Sequence, residues 1–162
     1  MPKKLADHVL STMNSIKVEP KECNEKDWTA QLNNAGKQPQ IVVSIRQPGA
    51  RQVIASNIVM PAPEHHTTLR NQVTKCAKID MTAGTQKATT TFEEVDLGIS
   101  GDVETFATRS VTTGFDGAKE TAFEAHVNVR HRALYYRVAG TDDEQLFRTI
   151  VERGVTRAAA VR

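Results

Sequence analysis

The chain has 162 residues, 39% of them hydrophobic and 25% charged, with 21 Lys and Arg against 19 Asp and Glu for a formal net charge of +2. This length and composition fit a single domain over residues 1–162 that buries its own core, and they exclude fibrous and disordered classes. Charges of both signs alternate with no basic stripe, which argues against a dedicated nucleic-acid binder, and no apolar run approaches the roughly 20 residues of a membrane-spanning helix.

The first residues, Met1-Pro2-Lys3-Lys4 followed by Leu5-Ala6-Asp7-His8, lack the apolar core of an export signal, so the chain is expected to be either cytoplasmic or a mature fragment. Leu5, Val9, Leu10 and Met13 share one face at helical spacing and predict a short amphipathic helix over residues 3–14. An irregular stretch with Pro20 runs to Cys23. Asn24 and Asp27 then resemble the start of a second short helix, which presents Trp28 and Leu32 and stops at Gly36.

From Gln40 the period becomes two, with Ile41, Val43 and Ile45 on one face. Gln47-Pro48-Gly49 supplies turn residues and Val53 to Met60 returns, so the pair reads as a hairpin. Pro63 suits a helix's first turn, and Leu69, Val73, Cys76 and Ala77 follow at helical spacing, which puts Cys76 near the buried end of that helix.

Residues 78–130 read as strands separated by Gly84, by Gly98 to Asp102 and by Gly114 to Gly117, and their Thr-rich runs favour a pleated surface. In the last of them Thr121, Phe123, Ala125, Val127 and Val129 face a core, while Ala122, Glu124, His126, Asn128 and Arg130 are expected to face water. A turn at Arg130-His131-Arg132 leads into a strand with Leu134, Tyr136 and Val138 inward. Thr141-Asp142-Asp143-Glu144 matches a capping box, and Leu146, Phe147, Ile150, Val151, Val155 and Ala158 form the apolar stripe of a closing helix. The expected class is α+β: a mostly antiparallel sheet with N- and C-terminal helices packed on one face.

No residue set demands a cofactor. His65 with His66, and His126 with His131, are the obvious histidine groups, but their spacing does not converge on a metal ion, so none is expected. Glu93, Glu94, Asp96 and Asp102 read as a solvated face rather than a calcium site. There is no G-x-S-x-G, G-x-G-x-x-G or P-loop pattern, and Ser100 is a turn residue. Cys23 and Cys76 admit three readings: a disulfide, which is favoured, two inert buried thiols, or a catalytic nucleophile. The span Glu124, His126, Asn128, Arg130, Arg132, Tyr135 and Arg137 places Arg, His and Tyr together on a strand pair, and is the candidate binding face for an anionic or glycan-like ligand. The alternative on those residues is a salt-bridged solvent face.

Three segments carry a resemblance: Pro20-Lys21-Glu22-Cys23, the helix ending Leu69-Arg70-Asn71-Gln72-Val73-Thr74-Lys75-Cys76, and Arg132-Ala133-Leu134-Tyr135-Tyr136-Arg137-Val138 before a long helix. Their order resembles the extracellular sensor domain of mycobacterial receptor serine/threonine kinases and related domains of actinobacterial envelope lipoproteins. The resemblance implies a non-enzymatic domain outside the membrane, in the cell envelope or secreted, that binds an envelope ligand (lipid, glycan or protein) in a cleft of its sheet. It also implies that the membrane is met only through an N-terminal anchor removed ahead of Met1, and an oxidising compartment agrees with a disulfide. Two other functions remain in view: a small α+β enzyme with His126, Asp96 or Glu94 as acid or base, and a protein-interaction module using a strand edge.

Overall fold

The structure, a computed structural model, describes residues 16–24, 40–45, 53–60, 66–129 and 132–160, with only the backbone for 40–45, 53–60 and 132. The helix expected over 3–14, the helix expected over 24–36 beyond Asn24 itself, the turn at 47–49, Trp28, His65, Arg130 and His131 lie outside the described residues.

The elements in chain order are β1 (Lys17–Glu19), a single 3-10 turn (Lys21–Cys23), β2 (Gln40–Ile45), β3 (Val53–Met60), α1 (His66–Lys75), β4 (Lys78–Ala83), β5 (Gln86–Glu94), β6 (Val103–Thr113), β7 (Lys119–Val129), β8 (Arg132–Ala139) and α2 (Glu144–Ala160). The strands form one eight-stranded sheet in the order β1-β4-β5-β6-β7-β8-β3-β2, and every neighbouring pair is antiparallel. A continuous meander from β4 to β8 makes its centre. The β2–β3 hairpin docks on β8 with Ile58 opposite Tyr135, and β1 pairs with β4 at the other edge. Gly84, at φ +62, takes the first position of the two-residue loop between β4 and β5, where a tight antiparallel return needs positive φ.

The alternation expected in β7 is present. Phe123, Ala125, Val127 and Val129 are buried, and the register aligns them with Ala107 of β6 and with Leu134, Tyr136 and Val138 of β8. Against this face α2 lays Phe147, Val151 and Val155, and Phe147 stacks on Phe123 with ring centroids 5.1 Å apart. The stripe read in the sequence is therefore the one the helix buries. Its start differs from expectation. Asp143 is the N-cap, its Oδ1 accepting the Leu146 N–H at 2.9 Å, and Thr141 Oγ1 accepts the Asp143 N–H one step earlier. Glu144 does not reach back to close a capping box but accepts from Arg148 on the next turn at 2.6 Å.

The α+β class with an antiparallel sheet is as the sequence indicated, yet the two described helices do not share a face. Strand residues alternate sides, and α2 meets the face of Phe123 whereas α1 meets the face of Phe106, whose partner across β7 is His126. The sheet is thus a middle layer.

Gly154 is where α2 approaches β8 most tightly. A Cβ there would overlap the hydroxyl and ring of Tyr136, a side chain only 3% exposed. In an open helix, Gly to Ala gains about 1 kcal/mol. Here overpacking of a buried ring reverses the sign, so Gly154→Ala is expected to destabilise by about 1–3 kcal/mol in urea unfolding. A stabilised variant would show that the helix can shift away from Tyr136 at no cost.

Candidate functional site: a cleft between α1 and the sheet

On the α1 side of the sheet lies a cleft of about 650 Å³. Its floor crosses six strands, from Val18 on β1 through Ile79 and Met81 on β4, Thr90 and Phe92 on β5, Phe106 and Thr108 on β6, and Glu124 and His126 on β7 to Tyr135 and Arg137 on β8. Leu69, Gln72 and Val73 of α1 form one wall, and the Cys23–Cys76 disulfide lies at its edge. That bond, with S–S 2.01 Å and Cα atoms 5.8 Å apart, ties the 3-10 turn after β1 to the residue following α1. The favoured reading of the two cysteines is thereby the correct one, and the inert-thiol and nucleophile readings fall.

Two features hold α1 over the floor. Leu69 and Val73, one helical turn apart, are its partly buried residues facing the cleft. Arg70 makes a forked contact with Glu94, from Nε at 2.9 Å and from Nη2 at 2.8 Å, and its guanidinium lies 5.6 Å from the centroid of the Phe106 ring. Exposed ion pairs contribute little to stability, about 0–1 kcal/mol. The fork's consequence is orientation: a planar donor pair fixes the helix against both β5 and β6.

The polar end of the cleft is built from rows of the β6–β7–β8 register. Phe106, His126 and Tyr135 form one row, with centroids 6.3 Å apart between Phe106 and His126 and 5.0 Å between His126 and Tyr135. Thr108, Glu124 and Arg137 form the next row, and Arg137 Nη1 meets Glu124 Oε1 at 3.0 Å. Burial, reinforced by the Glu124 carboxylate and opposed by Arg137, pushes the ionisation of the Tyr135 phenol well above its ordinary value, so the hydroxyl stays protonated.

That shift has a consequence for stability. The folded state holds the Tyr135 proton more tightly than the unfolded chain, whose tyrosines ionise near pH 10. The associated stability is complete below about pH 10 and is lost as pH rises toward the folded value. Tyr135→Phe is expected to flatten the fall of the urea midpoint above about pH 10, and a slope unchanged by the substitution would refute the assignment.

Of the seven residues named for the binding face, Glu124, His126, Tyr135 and Arg137 line the cleft together. Asn128 lies one row beyond, buried to 8% exposure, its Nδ2 donating to Glu104 Oε2 at 3.2 Å. Arg130 lies outside the described residues, as does the Arg132 side chain. The far face of β7 is accordingly not the solvated face that was expected: Ala122 and Asn128 are buried, and Glu124 and His126 are half-buried.

Of the proposed acids and bases, only His126 borders the cleft. Glu94 is held by Arg70, and Asp96 Oδ1 accepts the Gly98 N–H at 2.9 Å within its own turn. Glu93 pairs with Arg109 on the opposite face, and among the described residues no group of His, Cys, Asp and Glu is placed to hold a metal ion. A second hollow of about 430 Å³ near the start of α2 contains Arg109, whose guanidinium is already taken by Glu93 at 2.9 Å and Asp142 at 3.6 Å. Sequence reasoning missed the apolar part of the cleft. Phe106 and Thr108 carried a signal, since they alternate with Ala107 of the core, but Val18, Ile79 and Met81 reach the cleft only through the strand order.

No protein-family model matches the chain, and no curated protein matches it. Solved structures do. An uncharacterized protein from Mycobacterium smegmatis, the Rv0999 ortholog, aligns at TM-score 0.54 and 13% identity over 90% of this chain and 77% of that one. The extracellular domain of PknH from Mycobacterium tuberculosis aligns at TM-score 0.49 and 14% identity over 97% of this chain and 92% of that one. At 13% identity the likeness to the first is one of fold.

Proposed function

We propose that this protein is a non-catalytic ligand-binding or sensory domain that works outside the cytoplasm, in the cell envelope or secreted, and takes its ligand in the cleft between α1 and the sheet. The observation that carries the reading is the cleft itself. Its volume, about 650 Å³, falls in the range of small-molecule sites, and mostly apolar walls converge on a few polar groups, Glu124, His126, Tyr135 and Arg137. The disulfide at its edge supports the compartment, since such bonds persist where thiols are not kept reduced. The absence of a catalytic role is supported by the engagement of Glu94 and Asp96 elsewhere. Attachment to the membrane as a lipoprotein belongs to the same proposal, through an anchor preceding the sequence described.

A ligand that binds only the folded state raises its melting temperature, by an amount that grows with the logarithm of its concentration above the Kd. Thermal scans against envelope lipid extracts and soluble envelope glycans are expected to raise the melting temperature of the wild type and not of Arg137→Ala, a substitution at a half-exposed side chain. Equal shifts for both proteins would place the ligand elsewhere. Alkylation of protein taken directly from cells should leave Cys23 and Cys76 unmodified, and two alkylated thiols would remove the argument for an oxidising compartment.

A further inference from the structure

We infer that the cleft is shaped for the single hydrocarbon chain of a lipid, with an uncharged, hydroxyl-bearing head group seated at the Glu124–Arg137 end. This deepens the reading of the cleft as a ligand site and rests on it.

The dimensions come first. From β1 to β8 the floor makes five interstrand steps, and at about 4.8 Å each it is about 24 Å long. With a volume of about 650 Å³ spread over that length, the cleft is an elongated groove and not a compact pocket. An extended peptide brings N–H and C=O groups that must be paired. The cleft runs across the strands over the face of the sheet, where the backbone groups of β4 to β8 are already used in the ladders, so no strand edge is offered along its floor. A polymethylene chain follows an elongated groove and makes no such demand.

The walls agree. Val18, Met81, Ile79, Leu69, Val73 and Phe92 line the stretch from β1 to β5, and burying chain methylenes against them is favourable. The charged groups lie at the β7–β8 end, and the polar side chains elsewhere in the lining, Asn24, Gln72, Thr90 and Thr108, are uncharged. At the β7–β8 end, Glu124 and Arg137 neutralise each other at 3.0 Å, and the Tyr135 hydroxyl beside them stays protonated. A free carboxylate or phosphate would compete with Glu124 for Arg137 while lying against a negative charge. Hydroxyl groups can donate to Glu124 and accept from Arg137 and Tyr135 at once, which suits an ester-linked polyol or sugar head.

The test uses the full chain with its disulfide intact, stripped of bound lipid, and calorimetric titration with monopalmitoylglycerol, palmitate, glycerol and a soluble oligosaccharide. Monopalmitoylglycerol is expected to bind one to one and at least tenfold more tightly than palmitate, with Glu124→Gln narrowing that gap. Val73→Trp, which fills the apolar stretch from α1, is expected to weaken binding at least tenfold with the fold retained, as read by an unchanged circular dichroism spectrum. Met81→Trp does the same from the floor should the first variant fold poorly. If monopalmitoylglycerol binds the Trp variants as it binds the wild type, or if palmitate binds more tightly than the ester, the inference is overturned. Binding of the oligosaccharide without the acyl probe would overturn it too while leaving the cleft a ligand site. If none of the four probes binds, the inference falls, and the broader thermal screen decides the ligand-site reading separately.

Discussion

Truncating Phe147 to Ala is expected to cost about 3–5 kcal/mol of folding stability. Phe147 is 0% exposed, stacks on Phe123 at 5.1 Å, and sits one turn before Val151 on the stripe that joins α2 to β7 and β8. Removing it loses the transfer energy of the ring and leaves a cavity between a helix and a sheet that are each held by many other contacts, so collapse can relieve only part of it. Domains of this size are stable by about 5–15 kcal/mol, so the variant is expected to be folded but marginal. Urea unfolding checks this, read as a shift of midpoint at unchanged slope. Phe115, which is 37% exposed in the loop between β6 and β7, provides the contrast, because its replacement by Ala should change stability by no more than about 0.5 kcal/mol. Equal effects at the two positions would show that α2 is not an integral part of the core.

Phe147 also shows where sequence reasoning is strong. It lies on a period of 3.6 over several turns, and the strand it meets alternates from Thr121 to Val129 without a break, so both buried surfaces could be read before their partners were known. The strand limits at Gln40–Ile45 and Val53–Met60 were legible for a similar reason, as they are bounded by turn residues and proline. Periodicity says which stripe of a helix must be buried, however, and nothing about the side of the sheet that receives it. That is why α1 and α2 were assigned to one face and occupy two.

The candidate site was legible only where its residues are close in the chain. Glu124, His126, Tyr135 and Arg137 belong to one hairpin and were found together. The apolar end gathers Val18, Met81 and Phe92 from three different strands, and β1 pairs with β4 although β2, β3 and α1 come between them in the sequence. The far face of β7 was misjudged by the same limitation. Asn128 looks like a surface residue until the β6–β7 register puts Glu104 opposite it and supplies its hydrogen bond. At the start of α2 two competing caps, Thr141 and Asp143, were both present in the sequence, and the carboxylate nearer the helix prevailed.

Replacing both Cys23 and Cys76 by Ala is expected to lower stability by about 3–4 kcal/mol and to weaken the cleft as well as the fold. The bond closes a loop with a sequence separation of 53, and on the chain-entropy account a loop of that length constrains the unfolded ensemble by about 4 kcal/mol, before any native-state strain is subtracted. Its position adds a local effect. β1 is three residues long and, among the described residues, pairs only with β4, and Cys23 ties the 3-10 turn that follows it to Cys76. Cys76 stands at the other end, directly after the α1 wall of the cleft, and its N–H donates to the Gln72 carbonyl at 2.8 Å. Loss of the bond should therefore free Val18 and Asn24 relative to Leu69 and Val73, widening the channel at its apolar end while α2 and the β6–β8 core remain in place. The expected signature is a lower urea midpoint together with faster amide exchange in β1, β4 and α1 and unchanged exchange in β7, β8 and α2 at denaturant-free conditions. Uniform acceleration across the chain would mean that the disulfide stabilises only globally, and that the wall of the cleft has other supports.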